Sequence, residues 1–139
     1  MAGNPDWHDP ESSEGRELAL KVIGRCIAGW LAGYLISLLS SILFFLLLHI
    51  SPQQPASAGV LWATALYGIF FAALGAIVGA SFCRPQALGI GAAIAATIAG
   101  MSMWAWFASP NAAHWSQAIA ILLMAPAAQF AALFRRLDY

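Results

Sequence analysis

Four stretches of this chain, near residues 26–48, 59–81, 87–107 and 115–134, contain no Asp, Glu, Lys or Arg. A hydrocarbon core about 30 Å thick is crossed by roughly 20 residues of helix. Inside lipid the backbone has to satisfy its own hydrogen bonds, so runs of this length are helical. Breaks containing proline separate them: SPQQPASA, CRPQ and ASPNAAH. The expected architecture is therefore all-α, a four-helix transmembrane bundle. With 139 residues, 61% hydrophobic and 9% charged, the chain lies outside the range of soluble domains and has the length of one domain.

The charges that remain are unevenly placed. All the acids except Asp138 precede residue 18, and Arg16, Lys21, Arg25, Arg84, Arg135 and Arg136 flank the first helix, the second break and the end of the fourth helix. Lys and Arg collect on the cytoplasmic side, which predicts an N-in, C-in topology and a bacterial inner membrane as the location. Trp62, Trp104, Trp106 and Trp115 fall at the opposite helix ends, as interfacial tryptophans do, and Trp30 and Tyr139 would mark the inner interface. Residues 1–18 read as a short acidic tail, largely disordered, ahead of a four-helix domain over 19–139. The tail has no basic stretch leading into an apolar core, so it is not a signal peptide. Disorder is expected up to about Pro10, and Asp9 with Pro10 could cap a short helix running on toward Lys21. Its Asp6, His8, Asp9 and Glu11 are read as solvated groups, because ordering a flexible segment opposes metal binding.

Helices in lipid associate through close packing of small residues. Gly29, Gly33 and Ser37 form such a row in the first helix, and Gly75 and Gly79 repeat the step in the second. Ala92, Ala96 and Gly100 form a row in the third helix, with Ala128 and Ala132 in the fourth. All but Gly100 fall in the cytoplasmic half, whereas the outer half is bulky. The pattern predicts a bundle tight inside and splayed outside, with an outer apolar pocket formed by Phe44, Phe45, Trp62, Trp104, Trp106 and Trp115. Pro126 lacks a backbone donor and is expected to kink the fourth helix near Leu122, with Gln129 as a partner for the freed carbonyl. Cys26 and Cys83 are too few for a metal framework and too far apart for a CxxC pair. At a cytoplasmic helix end they are expected to be reduced, and either structural, lipid-facing or palmitoylated.

Chemistry is sparse. In size and span count the chain resembles the small multidrug-resistance transporters, but it has no carboxylate in any span, so their antiport activity is not carried over. His49 and His114, at the outer ends of the first and fourth helices, are the one pair that could ligate haem or zinc, and interfacial hydrogen bonding is the commoner use of such residues. Hydroxyls at Ser37, Ser40, Ser41, Thr64, Tyr67, Thr97 and Ser102 either line a polar path or bond back to their own helices. There is no catalytic motif, and no cofactor or metal is expected. So few cations exclude nucleic acid as a partner. The leading expectation is a non-catalytic membrane protein that works by interaction, as an accessory or assembly subunit or a homo-oligomer within the lipid bilayer. The alternative is binding or transport of a hydrophobic molecule, a lipid or quinone, in the outer half of the bundle.

Overall fold

The computed structural model describes residues 13–137. Among these residues every regular element is helical. They are α1 (Ser13–Leu48), α2 (Ala58–Phe82), a one-turn 3₁₀ segment (Arg84–Gln86), α3 (Ala87–Ala108), α4 (Trp115–Ile119), a π turn (Ala120–Met124) and α5 (Ala125–Leu137). The last three run on as a single fourth span. Four helices are long and apolar enough to cross a membrane, which makes this an integral membrane protein.

Local chemistry sets the boundaries. Ser57 caps α2 by accepting from the Val60 amide at 3.4 Å. Pro85 at the start of the 3₁₀ turn separates α2 from α3. α1 begins well before the apolar run that predicts it. Its 36 residues reach about 54 Å at 1.5 Å each and include residues 13–18 of the acidic tail, along the stretch where a short helix toward Lys21 was expected. Extending a helix already formed adds one hydrogen bond per residue ordered, and the Glu17–Lys21 pair at 2.8 Å adds a few tenths of a kcal/mol. The expected cap at Asp9 and Pro10, the tail ligands Asp6, His8 and Glu11, and Tyr139 lie outside the described residues.

α2 is the central helix and packs on α1, α3 and α5. Its contact with α1 is made by backbone. A Cβ added to Gly33 would stand 2.5 Å from the Gly75 carbonyl oxygen, and one added to Gly79 would stand 2.6 Å from the Gly29 oxygen. Only glycine permits this approach. Ser37 continues the row, its hydroxyl donating to Gly33 O at 3.2 Å and across to Phe71 O at 3.4 Å. Among the residues of α1 from 14 on, only Gly29, Gly33, Ser37 and Ser40 are buried, and Ile27, Leu31, Leu35, Leu39 and Leu43 are exposed on its other faces.

On the other side of the bundle, Gly91 of α3 lies directly on Ala132 of α5, and Ala128 and Ala132 are fully buried. Here the expected row in α3 is wrong. Ala92, Ala96 and Gly100 are exposed, and Gly100 has open space beside it. The inward row is Ala87, Ile90, Gly91, Ile94 and Ile98. The glycines of α1 and α2 leave a trough that needs a bulky side chain. Ile94 fills it, with Cδ1 2.5 Å and 3.1 Å from the Cβ positions at Gly33 and Gly79. Once the isoleucine row turns inward, a row two residues further on is carried about 200° around the helix and faces out.

The cysteines also depart from expectation. Cys26 and Cys83, 57 residues apart in sequence, have Cα atoms 5.1 Å apart and are joined as a disulfide. α1 and α2 are antiparallel, so the beginning of one meets the end of the other; sequence distance says nothing about this meeting. Arg25, Arg84 and Arg135 belong to the same end of the bundle.

Two predictions follow from this packing. Gly33→Val should force α1 and α2 apart and lower stability by about 1–3 kcal/mol, whereas Gly100→Val should be nearly neutral; unfolding of both in a mixed detergent titration checks this. A protease site inserted between residues 51 and 57 should yield fragments that stay together on a non-reducing denaturing gel and separate with reductant. Separation without reductant would show that the bridge is absent.

Candidate functional site

In the half of the bundle that bears the arginines, Ile94 packs into the glycine contacts, and a shallow groove remains beside Cys26, Trp30 and Gln86. The other half holds a partly open cavity of about 240 Å³, to which all four spans contribute. α1 supplies Tyr34, Ser37, Leu38, Ser41, Phe44 and Phe45, and α2 supplies Thr64, Tyr67 and Gly68. Ile98, Met101, Ser102 and Ala105 of α3 face it, as do Ser116, Gln117, Ala120 and Met124 of the fourth span. Its wall is mostly apolar, and no side chain that carries a full charge lines it.

Two loops close the far end. Ala113 N donates to Gln53 O at 2.9 Å, Trp115 Nε1 to Gln54 O at 2.7 Å, and Ser116 Oγ to Pro52 O at 3.3 Å. These bonds tie the loop after α1 to the start of α4. Below them Phe44, Tyr67 and Phe71 form a chain of tilted rings with centroids 4.6 and 4.5 Å apart. Phe45 meets Trp115 edge-on at 6.0 Å.

Of the six residues expected to form the apolar pocket, only Phe44 and Phe45 line the cavity. Trp62 and Trp104 are 70% and 68% exposed and face away from the bundle, where an interfacial indole keeps its ring in lipid and its N–H wet. Trp106 stacks on His114 with ring centroids 4.4 Å apart and 9° between planes, and Trp115 is held by the loop. The two histidines have separate roles. His49 terminates α1 with φ 53°. The bonds His49 N to Leu46 O and Ile50 N to Phe45 O complete a Schellman cap, with the histidine in the left-handed position that glycine usually takes. His114 precedes α4, one face covered by Trp106.

The fourth span bears on the cavity through its π turn. Pro126 has no N–H to give to Leu122, and the chain passes this gap through wider bonds such as Ala125 N to Ala120 O. The expected partner, Gln129, does not serve: its side chain makes no hydrogen bond to a backbone carbonyl among the described residues, and its Oε1 is buried near Gly91 without a partner. The π turn carries Ala120 and Met124 into the cavity wall, with Gln117 one turn before.

The hydroxyls divide into two groups. Ser37, Ser41 and Thr64 line the cavity yet turn their protons back to the carbonyls of Gly33 and Phe71, Ser37, and Val60. Ser40 bonds to Ser37 O away from the cavity. Thr97 is used elsewhere, donating to Ala93 O at 2.7 Å and accepting from Trp30 Nε1 at 3.0 Å. Tyr67 and Ser102 line the cavity, and their hydroxyls bond to no protein group among the described residues; the same holds for Tyr34, which sequence reasoning missed. Gln117 was missed as well. A lone amide near a helix start gives no sign in sequence of which way it faces. No group of three or more His, Cys, Asp or Glu side chains able to hold a metal occurs among the described residues.

No protein-family model, no curated protein and no solved structure matches the chain.

Proposed function

We propose that this protein binds a small hydrophobic molecule, a lipid or quinone, in the cavity of the half remote from the arginines, and has no catalytic chemistry of its own. The observation that carries this reading is the cavity itself, about 240 Å³ and mostly apolar, with a few polar groups converging on it. That combination is typical of small-molecule sites. A second reading, as an accessory or assembly subunit or a homo-oligomer, is favoured by α1. Only 17% of its most apolar window is buried, against 33% for α2 and for the fourth span, so α1 is the span with most surface to offer another protein.

The same reading places both termini in the cytoplasm and the chain in a bacterial inner membrane. Its support is that all six Lys and Arg residues flank one set of helix ends, while the loops between α1 and α2 and between α3 and α4 carry none. The cavity then opens in the outer leaflet.

Native mass spectrometry of protein extracted gently from its own membrane tests the function. The expected result is a stoichiometric hydrophobic ligand on the wild type and its loss in Ala105→Phe, which fills the cavity. An empty monomer would remove both readings, and a defined larger assembly without ligand would promote the second. For topology, green fluorescent protein fused to the C-terminus should fluoresce, since it matures on the cytoplasmic side. The result also bears on Cys26 and Cys83. Fluorescence would put the Cys26–Cys83 bridge at a cytoplasmic helix end, where disulfides are rare, and its absence would put the bridge in an oxidising compartment.

A further inference from the structure

The cavity carries a polar pattern more specific than its apolar walls. Ser37, Ser41 and Thr64 have already spent their protons on backbone carbonyls. Four other polar groups have not: the hydroxyls of Tyr34, Tyr67 and Ser102 and the amide nitrogen of Gln117 donate to no protein acceptor among the described residues. Gln117 is only 9% exposed, and its oxygen accepts from Ser116 Oγ at 2.9 Å, so the amide nitrogen is the side of the group left for a ligand. These donors stay accessible from the cavity, so an occupant with acceptor atoms gains hydrogen bonds there, whereas one without them covers the donors unpaired at a cost of about 1–3 kcal/mol each.

Charge narrows the occupant further. No Lys, Arg, Asp or Glu lines the cavity, so a phosphate or ammonium headgroup would leave water with no counter-charge to meet it. Aromatic rings of Phe44, Phe45 and Tyr67 supply part of the apolar wall.

Resting on the binding function proposed above, we infer that the ligand is an uncharged amphiphile whose carbonyl-type oxygens accept hydrogen bonds from Tyr67 and Gln117, with Tyr34 and Ser102 as further donors. Two sources share this chemistry, a quinone ring and the ester groups of a neutral glyceride. Both present carbonyl acceptors without a formal charge.

The test uses the full chain in detergent micelles, titrated separately with a decyl-substituted benzoquinone, dioctanoylglycerol and dioctanoyl phosphatidylglycerol, with binding counted by native mass spectrometry. Saturable one-to-one binding of a neutral probe, at least tenfold tighter than that of phosphatidylglycerol, is expected. The neutral probe that binds distinguishes ring from ester. Tyr67→Phe and Gln117→Leu should each weaken it about fivefold, the loss of one hydrogen bond, while Ser40→Ala, whose hydroxyl lies off the cavity, should leave it unchanged. Phosphatidylglycerol binding as tightly as the neutral probes would overturn this inference and leave the binding function standing. So would neutral binding that ignores both cavity variants. If no probe binds saturably, the inference and the binding function fall together.

Discussion

The backbone contact between Gly29–Gly33 of α1 and Gly75–Gly79 of α2 is the constraint on which the rest of the bundle depends. Lipid tails are as apolar as leucine, so burying leucine between two helices gains little in a membrane, and attraction has to come from closeness. Four glycines let the two helices touch carbonyl to Cα. That contact fixes the register of α1 against α2, and the register in turn brings Cys26 to Cys83 and Ser37 to the Phe71 carbonyl. It also leaves the trough that Ile94 fills, which sets the rotation of α3 and points Gly91 at Ala132 of α5.

The cavity is the counterpart of this closeness. Two helices that touch through glycine at one end and carry Ser41, Phe44, Phe45, Thr64 and Tyr67 further along cannot remain equally close over their whole length. The space that opens is bounded by rings and hydroxyls and closed by loops bonded to each other. The fourth span reaches it through a π turn, and Pro126 is the local reason the helix departs from α geometry there. A packing device in one half and a missing backbone donor in the other together shape a single site.

Several features were legible in the sequence because they depend on local chemistry. The four spans, their limits at the proline-containing breaks, the α1–α2 glycine steps as a pair, and the disturbance before Pro126 all follow from residue types within one or two helical turns. The row in α3 was misread because residues 90–100 offer both a small row and an isoleucine row, and only the trough on α1 and α2 decides which turns inward. The tryptophans were assigned to the pocket by depth, which sequence gives, whereas lining a cavity depends on azimuth, which it does not. His49 was placed at the interface by its position, and only its backbone conformation shows that it also terminates α1.

The sequence by itself determined four helices long and apolar enough to cross a membrane, since twenty uncharged residues in a row leave the backbone no other way to satisfy its hydrogen bonds in lipid. Only the tertiary structure decided that Cys26 meets Cys83, that Ile94 enters the glycine trough, and that Tyr34, Tyr67, Ser102 and Gln117 converge on one space. Helical periodicity relates residues within a helix, whereas which faces meet is settled by complementary relief between helices far apart in the chain, and that relief exists only once they are packed.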